Sequence, residues 1–133
     1  MQFLERRITS FDNLSLYIRD YGDPLDSRPP LFCLGGLTRN SKDFEGFANR
    51  YSADGRRVIC PDYRGRGKSA YDPNWKNYHP GIYIRDIQDI LAALNTHHVV
   101  AVGTSLGGIL GMGLAVAAPT ALAGLVMNDV GPE

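Results

Sequence analysis

Gly103-Thr104-Ser105-Leu106-Gly107 is the stretch of this chain whose residue types and spacing point to covalent chemistry. A serine hydroxyl is a weak nucleophile unless the fold exposes it, pairs it with a base and supplies donors for the oxyanion it generates. A tight corner between a strand and a helix does the first of these. The serine then takes strained backbone angles, and its neighbours two residues to either side must be small, hence Gly103 and Gly107. The flanking sequence fits such a corner. Val99-Val100-Ala101-Val102 reads as a strand, and Leu106 to Ala118 reads as an uncharged helix. Ser105 would then stand at a helix N-terminus, where free N–H groups and the helix dipole favour developing negative charge. The chemistry implied is acyl transfer through a serine.

Three other readings compete for the same residues. Residues 99–117 carry no charge, and Gly103, Gly107 and Gly111 recur at four-residue spacing, as in a membrane-spanning helix. The run is mostly Gly and Ala, however, without Trp or Tyr anchors or a basic cluster beside it. A dinucleotide-binding fingerprint needs glycine where Ser105 stands. Gly67-Lys68-Ser69 mimics the end of a phosphate-binding loop, but the first glycine of that motif would fall on Asp62.

Composition narrows the class. The 133 residues carry 14 basic and 14 acidic side chains, so nothing suggests nucleic acid or an anionic membrane surface as partner. His97 and His98 are adjacent and His79 is isolated, which is not metal-ligand spacing, and neither a metal nor an organic cofactor is expected. Cys33 and Cys60 lie in apolar runs and are expected to be reduced core thiols. The N-terminus reaches Glu5-Arg6-Arg7 too soon for a signal peptide, and a cytoplasmic protein is expected.

The elements that must position Ser105 follow from periodicity and breakers. Phe3 to Ser10 and Leu14 to Asp20 predict an antiparallel hairpin around Asp12-Asn13. Leu31 to Leu34 and Val58 to Cys60 are short, wholly apolar runs suited to strands buried on both faces. Asn40 or Ser41 caps a helix bearing Phe44, Phe47 and Tyr51. Ile84, Ile87, Ile90, Leu91 and Leu94 mark one face of a helix after Pro80, and Leu122 to Met127 predicts a further strand. From Leu31 onward, strands alternate with helices, which implies a mostly parallel sheet with right-handed crossovers. The helix after Ser105 is expected to be buried on most sides, with Gly107, Gly111 and Ala115 as a narrow stripe against the sheet.

Three ordered motifs now agree. Leu34-Gly35-Gly36-Leu37, Asp62-Tyr63-Arg64-Gly65-Arg66-Gly67-Lys68-Ser69 and Gly103-Thr104-Ser105-Leu106-Gly107-Gly108 each follow a predicted strand. Together they resemble the N-terminal half of the α/β-hydrolase fold family, in particular its esterase, lactonase and dehalogenase-like members. The resemblance implies an α/β fold: a mostly parallel sheet of order 1-2-4-3-5-6 with an N-terminal antiparallel hairpin, truncated after the sixth strand. Residues 1–133 would be the N-terminal part of a single domain.

The resemblance also implies roles. Ser105 would be the nucleophile, and the backbone N–H groups of Leu37 and Leu106 the oxyanion donors, although many members carry His-Gly where this sequence has Gly35-Gly36. Ser105 in place of an aspartate argues against a dehalogenase. Asp129 is either the acid of the triad or a turn-capping aspartate in Asn128-Asp129-Val130-Gly131-Pro132. Arg64 is expected to fix its turn through a salt bridge to Asp62 and hydrogen bonds to backbone carbonyls. No histidine fits the base. His97 and His98 begin the strand that ends near Ser105, and such a strand is roughly 17 Å long. His79 precedes the nucleophile, where a structural or substrate-lining role is expected. The expectation is thus a fragment of a serine hydrolase for an ester, lactone or similar acyl substrate, inactive and aggregation-prone by itself because the strand edge at Leu125, Val126 and Met127 and part of the helix after Ser105 would lose their cover. A small-molecule-binding member of the same fold without turnover is the alternative.

Overall fold

The computed structural model describes residues 3–36 and 41–128. Strands β1 (Phe3–Thr9) and β2 (Ser15–Tyr21) form the expected antiparallel hairpin, paired from Phe3–Tyr21 to Thr9–Ser15. Its turn places Asn13 at φ 66°, a left-handed conformation that asparagine tolerates. Next come β3 (Leu31–Leu34), α1 (Glu45–Ser52), β4 (Val58–Pro61), α2 (Pro80–Ala93), β5 (Val99–Thr104), α3 (Leu106–Ala117) and β6 (Leu122–Asn128). Ser41 opens a 3-10 turn, Ser41–Phe44, ahead of α1 rather than capping that helix directly.

The six strands form one sheet in the order β1-β2-β4-β3-β5-β6. β4–β3, β3–β5 and β5–β6 are parallel, and β2–β4 is antiparallel. The chain therefore leaves β3 toward one neighbour, β4, and reaches the other, β5, only after α2. This reversal opens a crevice at the carboxyl ends of the central strands. The loops after β3 and β4 and the corner after β5 all gather at that edge.

Burial explains the apolar runs. Every residue of β3 and β4 is buried, and alternate side chains enter opposite cores. Phe32, Leu34, Ile59 and Ala101 pack with Ile87, Ile90, Leu110 and Leu114 under α2 and α3. Cys33, Val58, Cys60 and Val102 pack with Tyr21 and Ala48 under α1. Both cysteines are free and buried, and burial together with the neighbouring Cys60 pushes the Cys33 thiol up, away from ionisation. Residues 99–117 divide between a strand and a twelve-residue helix, and among the described residues no helix is long and apolar enough to cross a membrane.

α3 is covered on its sheet and α2 sides but open along one flank: Ile109, Met112 and Val116 are exposed, Val116 to 85%. α3 rests on the sheet through its small residues and meets α2 where Gly113 faces Ile84, and none of the described elements covers the flank between these contacts. β6 lies at the sheet edge, with Val126 and Met127 half exposed.

Candidate active site

Ser105 stands between the last residue of β5 and the first of α3, with φ 55° and ψ −117°. Such angles are strained for any residue with a Cβ and cost about 1–3 kcal/mol, which the packing on both sides must offset. Gly103 and Gly107 make that packing feasible. A Cβ on Gly107 would lie 1.9 Å from the Leu34 carbonyl oxygen, and one on Gly103 would lie 2.6 Å from the Gly107 carbonyl carbon. The helix start therefore touches β3 and β5 backbone to backbone, and only glycine fits at either position. The Ser105 carbonyl accepts from Gly108 N–H at 3.0 Å, so α3 begins immediately. Its side chain makes no capping bond and the residue is exposed, leaving the hydroxyl at the surface of the crevice. Leu106 is the first residue of α3, so its N–H has no carbonyl within the helix to receive it.

β3 runs beside β5 with Leu34 level with Gly103, which brings Gly35 alongside the Ser105 corner. Gly35 is held there by a residue that the sequence did not single out. Tyr63, buried in the loop just after β4, donates its hydroxyl to the Gly35 carbonyl at 2.7 Å. Its ring stacks on Tyr83 of α2 at 5.5 Å and 13°. Burial pushes the Tyr63 phenol well above its ordinary value, so it remains a donor throughout the accessible pH range. Leu37 and Asp129 lie outside the described residues.

The Asp62–Arg64 salt bridge is corrected. Asp62 is 2% exposed, and its carboxylate accepts backbone N–H groups, from Ser41 at one oxygen and from Lys68 at 2.9 Å at the other. Arg64, two residues on, points away from it and is 0% exposed. Its guanidinium donates to both oxygens of Asp86 (2.7 and 2.6 Å), to Asp72 (2.7 Å) and to both oxygens of Asp12 (2.9 and 3.1 Å). The turn is thus tied to the hairpin and to α2, and Asp62 is released to order the loops on either side. One sequence signal was available for this network: Asp86 sits in the buried stripe of α2 beside Tyr83, Ile87 and Ile90. A carboxylate there demands a buried cation.

None of the three histidines is placed as a base. His79 caps α2, its Nδ1 accepting from Gly81 N–H at 3.2 Å. His97 pairs with Asn95 and His98 with the Thr120 carbonyl. Both precede β5, whose six residues separate them from Ser105 by roughly 20 Å. Among the described residues, no group of three or more His, Cys, Asp or Glu side chains is arranged to hold a metal ion.

Comparison with known proteins supports the fold. Residues 29–132 match the family model for the alpha/beta hydrolase fold, and the chain belongs to that family. A 3-hydroxybutyrate-oligomer hydrolase from Cupriavidus necator is 40% identical over 114 residues, 86% of this chain and 38% of that protein. The rhodomycin D methylesterase of a Streptomyces species is 36% identical over 120 residues, covering 87% and 39%. Among solved structures, an alpha/beta hydrolase from Novosphingobium aromaticivorans superposes with a TM-score of 0.89 at 48% identity, over 98% of this chain and 45% of that one. An epoxide hydrolase from Vigna radiata shares the fold, with a TM-score of 0.87 at 20% identity, over 98% and 41%. The chain therefore spans less than half the length of these relatives.

Proposed function

We propose that this chain carries the nucleophile of a serine hydrolase acting on a small carboxylic ester, lactone or similar acyl compound. The observation that carries this reading is the backbone of Ser105, φ 55° and ψ −117°, at a strand-to-helix corner that only glycine-flanked packing permits. Strain of this kind is retained where it presents a side chain for chemistry. The ester is favoured because two relatives with 36–40% identity are named as an oligomer hydrolase and a methylesterase.

In this chemistry the present chain supplies the nucleophile and the oxyanion donors. Ser105 Oγ attacks the carbonyl carbon, and the oxygen of that carbonyl becomes an oxyanion received by the Leu106 and Leu37 N–H groups. The serine proton passes to a histidine, which returns it to the departing alcohol, and water then releases the acyl group by the same path in reverse. His79, His97 and His98 are engaged elsewhere, so that base is to be sought outside these 133 residues. Asp129 or a later carboxylate would orient it. This route calls for no metal or organic cofactor.

The test is made on the intact protein. A fluorophosphonate should label Ser105, and a short p-nitrophenyl ester should be turned over; Ser105→Ala should abolish both. Undiminished turnover by the Ser105→Ala protein would place the nucleophile elsewhere. Tight ligand binding without labelling of the wild type would instead favour a binding protein of this fold.

A further inference from the structure

We propose that the outer edge of β1 is a self-association surface, on which a second copy of this protein pairs its own β1 antiparallel about a two-fold axis at Arg6. β1 ends the sheet order, and no described element flanks its outer side. An edge strand presents a row of unpaired N–H and C=O groups, which proteins commonly protect with charge, and Glu5-Arg6-Arg7 lies at the centre of this one. The order of those charges decides between protection and pairing. Laid antiparallel against itself about Arg6, the strand sets Glu5 opposite the partner's Arg7, Leu4 opposite the partner's Ile8 and Phe3 opposite the partner's Thr9. All seven residues of β1 take part in this register. An axis at Glu5 would set that carboxylate against itself and Leu4 against the partner's Arg6. An axis at Arg7 would set that guanidinium against itself and Ile8 against the partner's Arg6. Axes between residues fail because they oppose side chains that belong to different faces of the sheet.

The side chains stand where this register needs them. Glu5 and Arg7 are exposed and share the face that carries Tyr17: the Tyr17 hydroxyl donates to Glu5 at 2.5 Å, and the Arg7 guanidinium lies 5.5 Å from the Tyr17 ring centre. Hydrogen bonds from Tyr17 and Lys68 hold the Glu5 carboxyl below its ordinary value, so it is charged at neutral pH. On the other face Leu4 is 55% exposed and gains cover from the partner's Ile8. Arg6 is drawn back over its own sheet by Asp20 at 2.6 Å, which keeps the two arginines at the axis from meeting unpaired. Exposed ion pairs contribute little affinity. The backbone ladder and the covered apolar atoms supply it, and the charges select register and partner. Because each copy uses the same strand, the contact closes at two, and two six-stranded sheets become one.

Sedimentation velocity of the intact protein, from about 1 to 200 μM, tests this with the variants Glu5→Arg and Arg7→Glu. The wild type should dimerise within that range. Either variant alone sets like charges opposite each other twice per dimer and should raise Kd by about tenfold or more. Mixed one to one, the two variants restore opposite charges at both contacts, and a heterodimer within about threefold of the wild-type affinity should form. That recovery also excludes misfolding as the cause of the losses, since an unfolded strand cannot pair. A wild type that stays monomeric to about 200 μM overturns the proposal. So does a dimer indifferent to either charge reversal, or a pair of variants that remain monomeric when mixed.

Discussion

The guanidinium of Arg64 and the carboxylate of Asp86 form a two-pronged ion pair, Nε to Oδ2 at 2.7 Å and Nη2 to Oδ1 at 2.6 Å, in the interior. Residue 64 lies in the loop after β4 and residue 86 in the middle of α2, so this pair fixes the helix against the loop that carries Tyr63. Asp72 and Asp12 complete the arginine's partners from two further segments. Arg64→Met would leave three carboxylates without their shared cation. A loss of about 3–5 kcal/mol is expected, read from urea denaturation, because an unpaired buried charge costs more than the pair contributes. Arg64→Lys should recover little of it, since an ammonium cannot span both oxygens of Asp86. A loss below about 1 kcal/mol for Arg64→Met would refute the network's structural role.

Acid should act on the same network. The Arg64 guanidinium beside Asp12 holds that carboxyl down to about 2, whereas burial raises Asp86. Asp72 is lowered by hydrogen bonds from Asn77, the Asn74 N–H and Arg64. A carboxyl depressed in the folded state contributes stability above its ordinary value near 3.8, which is lost as the pH falls toward 2. Asp86, raised, works in the opposite direction and blunts the effect. Between pH 4 and pH 2 the urea midpoint of Asp12→Asn should therefore fall less than that of wild type. Parallel slopes would show that Asp12 carries none of the acid sensitivity.

Relieving the strain at the nucleophile should separate stability from activity. Ser105→Gly places at φ 55° and ψ −117° the residue that adopts those angles freely. The relief of strain outweighs the greater freedom of glycine in the unfolded chain by about 1 kcal/mol. A raised melting temperature with activity abolished is expected. A melting temperature below that of Ser105→Ala would mean that the corner is not strained.

Two glycines in helices should respond oppositely to alanine. Gly46 in α1 has nothing within 4 Å of the added methyl, and Gly46→Ala should stabilise by up to about 1 kcal/mol through helix propensity. Gly107→Ala would drive its Cβ to 1.9 Å from the Leu34 carbonyl oxygen. Backbone atoms cannot yield as a flexible side chain does, so losses of about 3 kcal/mol or more, or insoluble expression, are expected. Thermal melts of the two proteins side by side decide the matter, and a benign Gly107→Ala would refute the close approach of α3 to β3.

The sequence by itself determined the parts whose cause is local. The Ser105 corner was legible because its strain requires glycine two residues to each side and a strand and helix beside it. Apolar runs at Leu31 and Val58 identified central strands because only strands covered on both faces can lack polar residues. Tertiary structure decided what depends on which segments become neighbours. Arg64 is 52 residues from Asp12 and 22 from Asp86, so no local pattern distinguished those partners from Asp62, the nearest acid in the chain. The strand order also brought Tyr63 to Gly35, 28 residues earlier, where its hydroxyl serves the loop rather than the core. The exposed flank of α3 has the same origin. Apolarity is a property of the residues, but burial requires a neighbour, and the described fold provides that flank with none.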